Sequence, residues 1–241
     1  MTQPEGFLFP GKEDHVCKLR KSLYGLKQSP RQWYKRFDSY MVKLGYDRSP
    51  YNCCVYMSKV EDESYTYLVL YVDDMLIAAK KKCYVQKLKE LLSSEFEMKN
   101  LGAARKILGM EIFRDKTKKK LFLSQKAYIE KVLTRFGMLN VKPIDTPCAA
   151  NFHPTMSDEM SEGEIDYMSR VPYASVVGSL MYAMVCTRPD LAHAVSVVSR
   201  FMVQPRKEYW IAVKRIFRYL KGTSDIGLVY GDKDLRLVTV F

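Results

Sequence analysis

The sequence predicts an α+β protein, an antiparallel sheet with helices followed by a mostly helical module, and three observations carry that expectation. The apolar, strand-like runs Thr66–Val72 and Met75–Ala79 stand on either side of Asp73-Asp74, the pattern of a hairpin with a polar tip. Segments before and after this pair repeat apolar residues at helical spacing. A chain of 241 residues with 47% hydrophobic and 27% charged residues has the composition of a globular protein with ample core.

In chain order, the first 16 residues read as irregular, broken by Pro4, Gly6, Pro10 and Gly11. A helix is expected from Pro30, with Trp33, Phe37, Tyr40, Met41 and Leu44 on one face and Gly45 as its stop. Strands follow at Cys53–Lys59 and Tyr65–Val72, joined by the acidic turn Glu61-Asp62-Glu63, and then Met75–Ala79 completes a meander. A second helix aligns Val85, Leu88, Leu91, Leu92 and Phe96 and ends before Leu101-Gly102. Strands are expected at Lys106–Phe113 and Lys120–Ser124 around the basic turn Lys116–Lys119, then a helix at Tyr128–Phe136 burying Ile129, Val132, Leu133 and Phe136. Residues 140–170, rich in Pro, Ser and acids, read as an exposed connector. Helices are expected at Ala174–Val185, Pro189–Met202 and Lys207–Lys221, the last burying Trp210, Val213, Phe217 and Leu220.

The net charge of +12 is unevenly spread. Residues 1–50 and 101–150 carry +5 and +7, while the stretch holding the Asp pair carries −1. Basic segments flanking a carboxylate hairpin suit a polyanion gripped beside a metal site, although a solvated basic surface has the same signature. Six cysteines without C-x-x-C spacing, and His15, His153 and His193 apart from them, argue against zinc and for reduced thiols. The longest nearly apolar run, Val176–Cys186, is too short to span a bilayer, and Met1–Pro10 lacks a signal-peptide pattern. The expectation is an intracellular protein without membrane contact.

Two segments carry chemistry. In Tyr71-Val72-Asp73-Asp74, adjacent carboxylates repel unless something cationic lies between them. At a hairpin tip they suit a divalent metal for phosphoryl or nucleotidyl transfer, and an acidic turn is the plainer alternative. In Ser22–Trp33, a loop running into a helix, Gly25 permits close backbone approach, Lys27 and Arg31 supply cations, and Tyr24 offers a stacking face. The helix N-terminus is suited to phosphates, and a capped basic surface helix is the plainer alternative.

These segments, with Asn100-Leu101-Gly102, Ile107–Ile112, Leu123–Ile129, Val177–Tyr182, Thr187–Asp190 and Arg218–Ser224, resemble the reverse transcriptase of copia-type long-terminal-repeat retrotransposons, in order and over nearly the whole chain. The resemblance implies a right-hand polymerase, with palm and some finger elements in residues 1–115 and thumb and the start of the connection in 116–241. It implies that Asp73 and Asp74 are catalytic ligands of Mg²⁺ (or Mn²⁺), two ions about 3.5–4 Å apart in such chemistry. Tyr71 and Val72 would lie beside the primer end. Tyr24, Gly25, Lys27, Gln28 and Arg31 would line the nucleotide and template pocket, and Leu108, Gly109 and Met110 would grip the primer. The partners implied are an RNA template, a DNA primer and deoxynucleotide triphosphates, in a cytoplasmic particle or the nucleus.

The family's third metal carboxylate belongs to a strand upstream of the segment matching Gln3–Phe7, and its ribonuclease H part would begin close to Leu237–Phe241. No acid among Glu5, Glu13 and Asp14 sits in a strand-like context. A catalytically incomplete polymerase fragment is therefore expected, with a non-catalytic primer–template binding module as the alternative. A metal-dependent nuclease is the weaker third reading, because no further acid cluster accompanies the pair.

Overall fold

The computed structural model describes residues 2–7, 10–149 and 160–231, together with the backbone of Val238 and Thr239. His153 and the middle of the expected connector lie outside the described residues, as do Leu237, Val240 and Phe241. The chain forms two compact units, Met1–Gly102 and Ala103–Phe241.

The first unit is helix α1 (Ser29–Lys43), strands β1 (Asp47–Arg48), β2 (Val55–Lys59), β3 (Tyr65–Tyr71) and β4 (Asp74–Ala79), and helix α2 (Lys82–Glu95). The strands pair antiparallel in the order β1-β2-β3-β4, a plain meander. Alternation in β3 sets its two faces: Thr66, Leu68 and Leu70 are buried, while Tyr65, Tyr67 and Tyr71 are exposed. The buried face meets Phe37 and Met41 of α1 and Leu88, Leu92 and Phe96 from α2 and its end. Gly45 stops α1 as expected, with Tyr46 N–H bonded to Met41 O and Gly45 N–H to Val42 O.

One polar group is built into this core. Asp38 is buried on α1, pairs with Arg48 through both guanidinium arms, and accepts the Tyr56 hydroxyl at 3.0 Å. This pairing explains the two-residue strand β1, which the sequence pattern leaves out: Arg48 is held both by β2 and by Asp38.

The second unit holds β5 (Lys106–Ile107), β6 (Met110–Asp115), β7 (Lys120–Ser124), helix α3 (Lys126–Arg135), α4 (Glu162–Ser169), α5 (Tyr173–Cys186), a 3₁₀ turn (Pro189–Leu191), α6 (Ala192–Ser199), α7 (Lys207–Gly222), β8 (Leu228–Tyr230) and β9 (Val238–Thr239). The single strand expected at Lys106–Phe113 is two, because Leu108 and Gly109 turn the chain back. Beyond the expected strands, β8 and β9 extend the sheet to five antiparallel strands in the order β5-β6-β7-β8-β9. Close approach of β8 to β7 depends on Gly227, where a Cβ would stand 2.2 Å from Leu123 O. The expected connector carries α4, whose Ser161 caps the Glu164 amide at 3.3 Å and whose Met168 is buried. Glu164 in turn accepts the Lys207 amide at the start of α7. The expected helix over 189–202 is the 3₁₀ turn followed by the shorter α6.

The helices close on one apolar core that includes Ile129, Leu133, Leu180, Val195, Val213 and Phe217. At its end lies Arg188, fully buried with four hydrogen bonds. Its guanidinium makes two bonds to Asp190 (2.9 and 2.6 Å) and two to Thr223 (2.7 and 2.8 Å), and lies over the Tyr219 ring. Thr187 beside it bonds the buried Gln125 at 2.8 Å. The segment Thr187–Asp190 is thus a structural knot joining the ends of α5 and α7 to the β7–α3 junction.

Asp38 gives a test of the first unit's core. Asp38→Ala is expected to cost about 2 kcal/mol in denaturant unfolding, since it strands the buried Tyr56 hydroxyl and unpairs Arg48. Hydrogen bonding to Arg48, opposed by burial and helped by Tyr56, holds the Asp38 carboxyl below its ordinary value. The stabilisation should therefore be complete above the ordinary carboxylate range and fade as pH falls through the lowered value. The Asp38→Ala unfolding curve should lack that acid-side loss.

Candidate active site

Asp73 and Asp74 lie at the tip of the β3–β4 hairpin, where Tyr71 pairs with Asp74 across the two-residue loop Val72-Asp73. Directly opposed residues share a face, so Asp74 stands with Tyr71 on the sheet face that α1 and α2 leave open. Residues Tyr71 to Asp74 are all exposed. Among the described residues, none forms a hydrogen bond or ion pair with either carboxylate side chain. Among the described residues, no cation pairs with these two neighbouring negative charges.

The turn is strained. Val72 has φ +54°, whereas Asp73 does not cross into positive φ, the pattern of a type II′ turn that ordinarily has glycine first. A β-branched residue there costs on the order of 1–3 kcal/mol and persists only where its surroundings fix it. The indole N–H of Trp33, on the first turns of α1, donates to Val72 O at 3.0 Å. Trp33 also meets the Phe96 ring edge-on at 5.2 Å and Phe37 at 5.9 Å. Sequence periodicity assigns Trp33 to a buried face and gives no sign of this bond, because the two partners are 39 residues apart.

The loop before α1 is open. Tyr24 is 94% exposed, Gly25 has φ +89° with no atom near a would-be Cβ, and Lys27, Gln28 and Arg31 are exposed. Ser29 Oγ ties back to Leu23 O at 2.5 Å, and Gln28 stands at the cap of α1 without a side-chain cap bond. The first turn of α1 carries no acid, but its amides are largely used: Ser29 N–H bonds Leu26 O at 3.0 Å, Gln32 N–H bonds Gln28 O at 3.1 Å, and Pro30 has none to offer.

Leu108, Gly109 and Met110 belong to the second unit and form the β5–β6 turn. Leu108 (φ +49°) and Gly109 (φ +71°) both take the left-handed conformation of a type I′ turn, with glycine at its second position. The Tyr182 hydroxyl of α5 donates to Leu108 O, and Tyr182 meets Tyr128 edge-on at 5.0 Å. The adjoining β6–β7 turn presents Lys116, Lys118 and Lys119 to solvent, shaped by Asp115, which accepts from the amides of Thr117 and Lys118 at 3.0 Å each. On α7, by contrast, Arg215 and Arg218 bond Thr146 (2.8 Å) and the Lys142 carbonyl (2.9 Å), so part of the basic charge there fastens the preceding segment.

The donor set bears on metal binding. Asp73 and Asp74 offer hard carboxylate oxygens of the kind Mg²⁺ and Mn²⁺ take. Among the described residues, however, no three His, Cys, Asp or Glu side chains come together. Glu13 is turned to its own loop, accepting the Gly11 amide at 2.9 Å. Asp73 and Asp74 are thus without a third such side chain among the described residues. No helix of the described residues is long and apolar enough to cross a membrane.

Comparison with known sequences gives the class of protein to which this hairpin, its antiparallel sheet and its two backing helices belong. The family model of reverse transcriptase (RNA-dependent DNA polymerase) matches residues 1–150. The chain belongs to the reverse transcriptase family, in the form carried by retrotransposon Pol polyproteins. It is 54% identical, over 97% of its length, to the retrovirus-related Pol polyprotein from transposon TNT 1-94 of Nicotiana tabacum, of which it covers 18%. It is 36% identical, over 95% of its length, to the corresponding polyprotein from transposon RE2 of Arabidopsis thaliana, covering 15% of that protein. A putative transposon Ty5-1 protein of Saccharomyces cerevisiae is 30% identical over the full chain and 76% of its own length. The chain thus spans less than a fifth of the two plant polyproteins. No solved structure matches it.

The Leu108 turn yields a direct test. Tyr182→Phe keeps the ring against Tyr128 but removes the donor to Leu108 O. Hydrogen exchange at Ile107 and Met110, the pair that closes the turn, should speed up, with a loss of about 0.5–1.5 kcal/mol in local stability. Unchanged exchange there would mean the hydroxyl does not hold the turn.

Proposed function

We propose that residues 1–115 are the palm and part of the fingers of a right-hand polymerase, and 116–241 its thumb and the start of its connection. In this proposal Asp73 and Asp74 contribute to holding Mg²⁺ or Mn²⁺ for nucleotidyl transfer to a DNA primer on an RNA template. The observation that carries it is the hairpin tip: two exposed, unpaired carboxylates on a strained turn, in a chain of the reverse transcriptase family. Held by Asp73 and Asp74, a divalent ion would acidify the primer hydroxyl and offset charge on the departing phosphates.

The chain's own groups have distinct tasks. Tyr71 and Val72 border the primer end, and Tyr24 stacks on a base. Lys27 and Arg31 neutralise triphosphate or template phosphates, while Gln28 and the open backbone at Gly25 complete that pocket. Leu108, Gly109 and Met110 hold the primer strand, and the lysines of the β6–β7 turn follow the duplex backbone by charge and shape. Such work belongs in a cytoplasmic particle or the nucleus.

Two carboxylates fall short of what a pair of divalent ions needs. The chain by itself therefore grips primer–template better than it extends it. The alternative, a module that binds nucleic acid without any chemistry, shares the basic surfaces and the same half-set of ligands.

Two measurements test these statements. Binding of the chain to an RNA–DNA hybrid should weaken roughly tenfold or more between 50 and 200 mM salt; salt-independent binding, or none at low salt, would remove the basic segments from the function. In primer extension on an RNA template with Mg²⁺ or Mn²⁺, the isolated chain should give little or no product. Robust synthesis that Asp73→Ala abolishes would show that another acid completes the site.

A further inference from the structure

We propose that Trp33 is a positioning residue for the Tyr71–Asp74 turn: its indole N–H holds the Val72 carbonyl and thereby fixes the peptide plane from which Asp73 springs. The reason it matters rests on the polymerase reading of that turn, but the clamp itself does not.

Four observations lead there. The first loop position of this hairpin needs positive φ, which glycine supplies without strain, yet the residue is the β-branched Val72 at φ +54°. Such a conformation persists only where contacts over-determine it. Among the described residues, the Trp33 bond of 3.0 Å is the hydrogen bond that reaches the Val72–Asp73 loop from outside the hairpin. The Val72 carbonyl and the Asp73 amide share one planar peptide unit, so a donor fixed on that oxygen fixes the direction in which Asp73 leaves the turn.

The donor is itself held. Trp33 is half-buried, with its ring set edge-on to Phe96, and Phe96 also packs on Phe37 and Tyr40. The position of the indole is therefore set by α1 and by the end of α2 together. Because the bond goes to backbone, it does not depend on which side chain occupies position 72. The same device recurs independently in the second unit, where the left-handed Leu108 offers its carbonyl to the Tyr182 hydroxyl.

The test removes the N–H while keeping the ring. In the full chain, residue 33 is replaced by β-(3-benzothienyl)alanine, which puts sulfur where the indole has N–H, and separately by phenylalanine (Trp33→Phe). Amide exchange at Tyr71 and Asp74, the pair that closes the turn, should rise roughly tenfold, while amides of the α2 core around Leu88 stay as they were. With Val72→Gly, which meets the turn's backbone demand without a clamp, the same replacement should change exchange at the turn less than threefold. Added Mn²⁺ should broaden the Asp73 and Asp74 signals of the native chain, and more Mn²⁺ should be needed after the replacement. Unchanged exchange at the turn, a rise shared equally by the core, or an effect undiminished by Val72→Gly would overturn the clamp. Absence of Mn²⁺ broadening in the native chain would count against the metal reading of the turn and leave the exchange result to decide the clamp.

Discussion

The register of β3 against β4 governs the first unit. With Tyr71 opposite Asp74, Leu70 falls opposite Met75 and Leu68 opposite Ile77, and these residues turn toward α1 and α2. A slip of one residue would send the tyrosines into that core and the leucines into solvent. The same register brings both aspartates to the tip, where water bears the cost of two adjacent charges that no described residue offsets. The position of the carboxylates is thus a by-product of how the sheet buries its apolar face. What the sheet does not determine is the path of the two-residue loop. That is held at a conformation valine resists, beside an indole fixed by both helices.

In each unit, charge is used both for structure and for display. Arg48 and Arg188 are committed to Asp38 and Asp190 and to the hydroxyls and backbone around them. Burial alone would raise the Asp190 carboxyl, but Arg188 and the Tyr219 hydroxyl hold it below its ordinary value, so the knot stays charged at neutral pH. Arg215 and Arg218 tie down residues 142–146. The lysines of the β6–β7 turn and the basic residues before α1 are instead exposed. They are among the groups free to meet a polyanion, whereas the committed arginines are not.

Much of this was legible in the sequence, for identifiable reasons. β3, β4, β7 and α1, α2, α5 and α7 have apolar residues at a clear period over five or more positions, and their bounds fall within a few residues of the pattern. β1 and β5 are two residues each and β8 is three, too short for any period, and they exist because a neighbouring strand or the Asp38–Arg48 pair holds them. α4 was hidden by its acidic composition, although Ser161 and Glu164 are spaced as a capping box would have them. At the site, the aspartate pair declares itself because its chemistry is poor for folding. Trp33 and Tyr182 do not, since each reaches its turn by a tertiary hydrogen bond to a backbone oxygen, which leaves no mark on local pattern.

The most direct measurement is photo-crosslinking from an RNA-templated primer carrying 4-thiothymidine at its 3′ end. If the hairpin tip is where primer chemistry belongs, adducts should map to the Tyr71–Asp74 turn and the adjoining start of α1, and should disappear at high salt. Adducts confined to other surfaces, with none on the turn while the hybrid is bound, would contradict the account.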